Sequence, residues 1–264
     1  MSAPTSAPSK LNLKRLDDPN TSKRNPPLNL PYFTGSLRIK PSAFSAQWNP
    51  QHHQTQTRAE RRALRPEQTA PPGTWALWLI LAGRGFGKTL TGASWLAEGI
   101  RAIPNGRFAV VAATIADARD TMIEGVTGLL SVLEPHELKG GTIDSAWNRS
   151  LGELYLANGG KVKTFSSEKP RSLRGPQHHR VWGDEPAEWA DSHKGTLEDT
   201  TFSNLEMGCR LGNQPQVCLT GTPKPKRLIR EIMKRDDVVK TRGRTDANKA
   251  NLSAAYLKVI EKYK

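Results

Sequence analysis

An apolar run that passes directly into a glycine-rich loop is the feature that most constrains the fold of this chain. Residues 75–82 read WALWLILA, and GRGFGKT follows at once. Because both faces of a strand with this sequence would be apolar, the run predicts a buried strand of a parallel sheet. The loop has the P-loop spacing, with six residues from the small residue Ala82 to Lys88 and then Thr89. The sequence therefore predicts a strand, a phosphate-binding loop and a helix in succession.

The residue types of this loop suit a nucleoside triphosphate. Gly83, Gly85 and Gly87 allow successive backbone N–H groups to curl around phosphate oxygens. Lys88 can reach the β- and γ-phosphates, and the hydroxyl of Thr89 can bind Mg²⁺ at the start of the helix. A glycine-rich turn that binds nothing is the simpler alternative. We expect ATP and Mg²⁺ as the ligands.

Strand and helix patterns alternate after the loop. Such an order predicts an α/β fold with a mainly parallel central sheet flanked by helices. Asn158-Gly159 between two short apolar segments also indicates a β-hairpin. The predicted elements are a helix at about 88–101, a strand at 108–113, a helix at about 116–133, hairpin strands at 151–156 and 161–165, strands at 180–183 and 217–220, a helix at 225–234, a strand at 238–242 and a helix at 254–263.

Two adjacent carboxylates follow the predicted strand 180–183. Asp184 has the position expected of a residue that holds Mg²⁺ through water, and Glu185 that of a base for the attacking water. Adjacent surface acids are common, so the prediction depends on their combination with Lys88. Together these residues predict hydrolysis of the bound nucleotide.

The charge distribution divides the chain into two parts. The net charge is +14, and residues 1–66 hold eleven Lys or Arg against three Asp or Glu, together with nine of the nineteen prolines. Segments of this kind bury too little apolar surface to fold. We therefore predict a disordered basic arm over 1–56 and one domain over 57–264, which starts with a short basic helix at 57–64. The arm is either a tether to DNA or a partner, or a solubility tail.

Membrane functions are excluded by the hydropathy pattern. The longest apolar stretch, residues 75–82, has about half the length that a spanning helix needs. The first ten residues, MSAPTSAPSK, lack the apolar core of a signal peptide. A cytoplasmic protein without membrane contact is expected.

Several motifs in order resemble a known family. LAGRGFGKT, GDEPAEW and TGTPKP, over about residues 65–264, are similar to the ATPase domain of the large terminase subunit, the DNA-packaging motor of tailed bacteriophages and prophages. RPEQ, ADARDTMIEG, SLRGPQ and NLSAAYLKVIEKY also resemble stretches of that family. The resemblance implies a P-loop NTPase of the ASCE/RecA-like type that hydrolyses ATP to move double-stranded DNA into the procapsid.

The resemblance also implies roles for individual residues. Gln68 falls in the segment that recognises adenine, and Arg84 matches an arginine that acts in cis on the γ-phosphate. Asp184 and Glu185 match the Walker B pair. Thr220 and Thr222 match the coupling motif, which senses the γ-phosphate and transmits hydrolysis to the DNA.

An arginine finger is the least determined of these roles. Arg174 lies in the region where a neighbouring subunit receives such a finger, and Arg149 and Arg171 are alternatives. Each of the implied residues also has a plainer interpretation, as a solvated loop residue, a surface charge or a strand-end threonine.

The family further implies partners. They are double-stranded DNA, the portal protein, the small terminase subunit and further copies of the chain in a ring, assembled at the procapsid in the host cytoplasm. The large subunit of the family continues into an RNase H-like nuclease domain, so we expect no nuclease activity from residues 1–264. Two alternatives stay open, namely a helicase-like DNA-dependent ATPase and a truncated prophage remnant that binds nucleotide or DNA without turnover.

Overall fold

The computed structural model describes residues 64–262 as an α/β fold on one eight-stranded sheet. The strands across the sheet run in the order β3-β4-β5-β2-β6-β7-β1-β8. All neighbours from β5 to β8 pair in parallel, whereas β3, β4 and β5 pair antiparallel. The fold class predicted from the sequence is thereby confirmed. The strands are β1 Leu77–Ala82, β2 Arg107–Ala112, β3 Trp147–Asn148, β4 Glu153–Tyr155, β5 Lys161–Ser166, β6 Arg180–Asp184, β7 Gln216–Gly221 and β8 Val238–Gly243.

Helices connect the parallel strands. Among them are α1 between β1 and β2, α4 between β6 and β7, and α5 between β7 and β8. Short 3₁₀ turns fill many of the other connections, among them Pro66–Gln68 before β1 and Thr245–Asn251 after β8. The α-helices are α1 Lys88–Ala102, α2 Ile115–Asp117, α3 Ile143–Ala146, α4 Thr201–Gly208, α5 Arg227–Lys234 and α6 Ala254–Glu261.

Strand β1 is buried on both faces, as its sequence predicts. Trp78 and Ile80 belong to a core cluster that includes Trp95 of α1. Leu79 belongs to a second cluster that includes Phe202 of α4 and residues of α5. The sheet is therefore covered on both sides, which explains why the strand has no polar face.

The predicted hairpin is present between β4 and β5. The Asn158 side chain accepts a hydrogen bond from the N–H of Gly160 at 3.0 Å. Gly159 has a φ of +83°, and a Cβ there would overlap with Oδ1 of Asn105. The Asn-Gly pair is thus required both by the backbone conformation and by a close neighbour.

The predicted helix at 116–133 was wrong in its extent. The chain forms one α-helical turn, then a π-helical turn at Ala118–Ile123 and a 3₁₀ turn at Leu129–Ser131. Gly125 and Gly128 are the cause, because glycine is a poor helix former and the N–H of Gly128 closes a tight turn onto the carbonyl of Gly125 at 2.8 Å.

Some predictions fall on residues outside the described range 64–262. They are the basic arm at 1–56, the helix at 57–64 except for its last residue, and the end of the final helix at Tyr263. Within the described range, no helix combines the length and apolarity needed to cross a bilayer.

The register of the sheet brings three strand ends together. Thr220 of β7 lies opposite both Ile80 of β1 and Asp184 of β6. The carboxyl ends of β1, β6 and β7 therefore meet at one edge. In open α/β sheets this edge is where ligands bind.

Candidate functional site

The phosphate loop, residues 82–89, joins β1 to α1 at this edge. Gly85 and Gly87 have φ values of +77° and +97°, in the region that favours glycine. The N–H groups of Lys88 and Thr89, at the start of α1, have no acceptor among the residues that the structure describes. A helix start with free N–H groups next to left-handed glycines is a concave site for an anion.

Lys88 is held inside the loop. Its side chain is 10% exposed, and its amine donates to the carbonyl of Ala82 at 3.1 Å. The amine also donates to Oγ1 of Thr222 at 3.2 Å and lies 3.4 Å from Oε1 of Glu185. A buried amine with these partners is oriented for phosphate oxygens.

Glu185 faces Lys88 from the end of β6. Its carboxylate accepts two hydrogen bonds from Thr222, one from the backbone N–H and one from the hydroxyl, both at 2.9 Å. Its own backbone is left-handed, with φ 44° and ψ 57°, and Pro186 follows. Non-glycine residues with positive φ are uncommon and concentrate at functional sites.

Asp184 is hydrogen-bonded to the neighbouring strand β7. Oδ1 of Asp184 accepts from the hydroxyl of Thr220 at 2.6 Å, and that hydroxyl accepts from the indole N–H of Trp182 at 2.8 Å. Burial raises the pKa of Asp184 to about 6. A half-buried carboxyl in this state gains from a cation beside it.

An open cleft of about 850 Å³ lies over these groups. Its lining falls into two ends. The first holds the phosphate loop, the start of α1 and the two acids, and the second holds the 3₁₀ turn at Pro66–Gln68 and the chain after β8. Val126 and Thr127, from the connection after β2, complete the lining. The lining residues include Arg65, Gln68, Arg84, Gly85, Gly87, Lys88, Thr89, Asp184, Glu185, Asn248, Asn251, Leu252 and Tyr256.

The residues expected to hold Mg²⁺ fit that ion in donor type. Thr89 and Asp184 line the same cleft and offer a hydroxyl and a carboxylate. Mg²⁺ prefers oxygen ligands of this kind and keeps several waters. Both residues stay predicted ligands.

The structure brings most of the predicted site residues to the cleft. Arg84 is exposed on its rim, and Gln68 is buried beside the phosphate loop. Gly83 lies at the base of the loop, where its N–H donates to the carbonyl of Gly243. Thr220 and Thr222 reach the cleft through Asp184 and Glu185, to which they are bonded. Their nucleotide contacts stay predictions.

Arg174 lies elsewhere. It shares the carboxylate of Asp199 with Arg171, at 3.4 and 3.1 Å respectively. Arg149, the other alternative, is paired with Asp120 and Glu124. None of the three lines the cleft. Within one chain they are exposed arginines in surface ion pairs.

The C-terminal lining was not predicted from the sequence. Asn248, Asn251, Leu252 and Tyr256 come from the turn after β8 and from α6. Tyr256 and Leu252 belong to NLSAAYLKVIEKY, a stretch without a motif of known chemistry. Only the fold of the chain after β8 places them over the loop.

Comparison with known proteins agrees with this architecture. Residues 79–258 match the family model for the N-terminal part of the T4-type terminase large subunit. No curated protein matches the chain.

Solved structures share the fold at low sequence identity. The large terminase of a thermophilic bacteriophage, in complex with ADP, superposes with a TM-score of 0.55 and 17% identity, over 76% of this chain and 46% of that one. A second crystal form of the same large terminase superposes with a TM-score of 0.52 and 13% identity, over 78% of this chain and 47% of that one. The large terminase ATPase domain of Thermus phage P74-26 has a TM-score of 0.48 and 16% identity, over 65% of this chain and 76% of that one. The chain thus matches just under half the length of the first of these large terminases.

Proposed function

The chain belongs to the family of T4-type terminase large subunits, as part of the N-terminal region, and from this membership and the cleft we propose that it hydrolyses ATP to translocate double-stranded DNA. The observation that carries the proposal is the contact of Lys88, Glu185 and Thr222 at the mouth of the phosphate loop. These three residues come from three different elements. Their meeting point is where a γ-phosphate bound to the loop would lie.

Lys88 and the N–H groups at the start of α1 would bind and orient the phosphates. When bound, Mg²⁺ supplies charge neutralisation on the phosphate oxygens, and Thr89 and Asp184 would hold it. Arg84, on the rim, can add a positive charge near the γ-phosphate. Catalysis by these residues is positioning and electrostatic stabilisation.

Glu185 would be the base for the attacking water. In the structure its carboxylate is bonded to Thr222 and lies next to Lys88. Phosphate oxygens and the carboxylate are both acceptors for the Lys88 amine. Substrate binding would therefore separate Glu185 from Lys88. Its carboxylate would keep the hydrogen bonds from Thr222 and could accept a proton from the attacking water.

Thr222 would pass this change to the surface. The chain after Thr222 reads Pro223-Lys224-Pro225-Lys226, and α5 begins at Arg227. Prolines stiffen a connection because their φ is fixed. A shift of Thr222 would consequently move the start of α5.

Helix α5 offers a basic face to DNA. Leu228, Ile229 and Ile232 are buried against the core. Lys226, which directly precedes the helix, and Arg230 and Lys234 within it are exposed at a spacing of four residues. Within residues 64–262 none of these three cations has an ion pair, whereas Glu231 is engaged by Arg227 and Thr196. A row of cations without ion pairs can contact the phosphate backbone of a duplex, and such contacts do not depend on the base sequence.

The partners of the whole motor are part of the same proposal. They are the portal protein, the small terminase subunit and other copies of the chain, in a ring at the procapsid in the host cytoplasm. In such a ring Arg174, Arg149 or Arg171 would act in trans on the nucleotide of a neighbour. The domain boundary at residue 57 is also proposed, with the basic arm before it as a tether.

Two variants test the ATPase proposal. Lys88→Ala removes the phosphate-binding amine, and Glu185→Ala removes the base, so both are expected to lower steady-state ATP hydrolysis by about 100-fold or more. Lys258→Ala, which removes an exposed lysine from α6, is the matched control and keeps the activity. Unchanged hydrolysis in both site variants would disprove the assignment.

A further inference from the structure

The second end of the cleft has no role in the phosphate chemistry described above. It is lined by Arg65, Gln68, Asn248, Leu252 and Tyr256, next to the loop that would hold the phosphates. A nucleotide bound by its phosphates would extend its sugar and base toward one of the remaining walls. Which wall receives the base depends on which side chains are still available for contact.

The side chain of Gln68 is already engaged by the protein. It is 3% exposed, and Nε2 donates to the carbonyl of Gly87 at 3.2 Å and to Oγ1 of Thr91 at 3.1 Å. Oε1 accepts from the backbone N–H of Arg65 at 3.3 Å. Both amide hydrogens are thus used to fix Gly87, the N-cap of α1, and Thr91 in the first turn of that helix.

The chain after β8 is attached directly to the phosphate loop. The hydroxyl of Thr245 donates to the carbonyl of Arg84 at 2.8 Å, and Nδ2 of Asn248 donates to the carbonyl of Gly85 at 2.5 Å. Oδ1 of Asn248 accepts from Arg65 and from Asn251. Asn248 is therefore occupied as well, as an anchor of this segment.

Leu252 and Tyr256 are the apolar side chains of the segment that line the cleft, next to the exposed Asn251, whose Nδ2 donates to Asn248. A Cβ on Gly85 would lie 3.0 Å from a ring carbon of Tyr256 and 3.2 Å from a methyl carbon of Leu252. Both side chains are half-buried and line the cleft. Among the described residues the hydroxyl of Tyr256 has no hydrogen-bond partner. An aromatic ring and a leucine at the edge of a phosphate site form a surface on which a nucleobase can stack.

We infer that the base of the nucleotide stacks on Tyr256 and Leu252, and that Gln68 is a positioning residue for the phosphate loop. The inference rests on the proposed nucleotide site. Because every base has a π-face, stacking discriminates weakly between bases. Adenine and guanine nucleotides are accordingly expected to bind this site with affinities within about tenfold of each other.

The test compares a ligand with a base and one without, on the full chain. Dissociation constants for ADP and for pyrophosphate, both with Mg²⁺, are measured by calorimetry. Tyr256→Ala is expected to lower the affinity for ADP about tenfold and to leave the affinity for pyrophosphate unchanged. Tyr256→Phe, which keeps the aromatic ring, is expected to bind ADP with the wild-type affinity. Val259→Ala, at a 49% exposed position of the same helix, is the control. Retained pyrophosphate binding shows that the site is folded in each variant.

Gln68→Ala gives the complementary result. If Gln68 positions the phosphate loop, the affinities for ADP and for pyrophosphate are expected to fall by the same factor. A loss confined to ADP in Gln68→Ala, or unchanged ADP affinity in Tyr256→Ala, would overturn the inference while the proposed function stands. A wild-type chain that binds neither ligand would overturn the proposed function and the inference together.

Discussion

The amine of Lys88 lies 3.4 Å from the carboxylate of Glu185, and Thr222 is hydrogen-bonded to both. The two charged side chains are 10% and 31% exposed, so the pair is only partly screened by water. In this arrangement the residue proposed to bind phosphate and the residue proposed to activate water are in direct contact with each other. Their separation by a substrate would be the first structural change of the cycle.

Thr222→Val tests the link between these two charges. The valine keeps the backbone N–H but loses the hydroxyl that bonds Lys88 and Glu185. We expect kcat for ATP hydrolysis to fall by about tenfold or more, because the base is less well oriented. ADP affinity, measured by calorimetry, is expected to change far less. Thr222→Ser retains the hydroxyl and is the control, and a Val variant with the wild-type kcat would contradict the role.

Thr220→Val tests the buried chain of hydrogen bonds behind Asp184. Thr220 is fully buried and links the indole N–H of Trp182 to the carboxylate of Asp184. Its loss leaves a buried donor without a partner, at a cost of about 1–3 kcal/mol in the free energy of unfolding. Urea denaturation measures this cost. Thr220→Ser retains the hydroxyl, so its free energy of unfolding is expected to stay close to that of the wild type. Equal stability of the Val variant and the wild type would refute the prediction.

His178 predicts an acid-sensitive fold. It is 4% exposed, neither ring nitrogen has a hydrogen-bond partner among the described residues, and burial lowers its pKa from 6.5 to about 4. Above pH 6.5 the ring is mostly neutral in both states, so it contributes little pH dependence to the free energy of unfolding. As the pH falls from 6.5 to 4 the unfolded chain takes up the proton first, so stability declines by about 1.4 kcal/mol per pH unit.

Urea denaturation at pH 7 and pH 4.5 of the wild type and of His178→Phe measures this term. The difference between the two proteins should change by about 2–3 kcal/mol in favour of the variant at the lower pH. His193→Phe, at an exposed position, is the control. The same pH dependence in His178→Phe as in the wild type would show that the acid sensitivity has another source.

The basic face of α5 is tested by the salt dependence of DNA binding. Replacement of Lys226, Arg230 and Lys234 by Gln is expected to reduce the slope of log affinity against log salt by roughly 2 to 3 for duplexes of any sequence. Gln at Lys169, Lys249 and Lys258 makes the same charge change at other exposed positions. Equal slopes in the two triple variants would exclude α5 as the contact surface. Loss of binding to an acidic protein rather than to DNA would assign the face to a protein partner.

Local patterns were sufficient to predict the half of the site that is proposed to hold the phosphates. The run 75–82 and the loop after it predict a buried strand, a turn and a helix, because glycine conformation and apolar burial are properties of short segments. Asp184 and Glu185 follow a strand in the same way. Such features depend on few neighbours, so they can be read without the fold.

Tertiary contacts decide the rest. Nothing near Tyr256 indicates that it lies against Gly85, since 170 residues separate them in the sequence. The helix predicted at 116–133 has apolar residues at helical spacing, yet Gly125 and Gly128 end it early. The engagement of the Gln68 amide by Gly87 and Thr91 is likewise visible only in the folded chain. Side chains from distant segments determine the first and the third of these features, whereas glycines within the segment itself determine the second.

The most direct test of the account separates ATP binding from ATP hydrolysis at Glu185. Glu185→Gln keeps the shape of the side chain and removes its basicity, so it should bind ATP with the wild-type affinity. Phosphate release with saturating duplex DNA is measured on the same preparations. The proposed role of Glu185 as the base predicts a rate at least about 100-fold below that of the wild type. A Glu185→Gln variant that binds ATP and releases phosphate at the wild-type rate would contradict it.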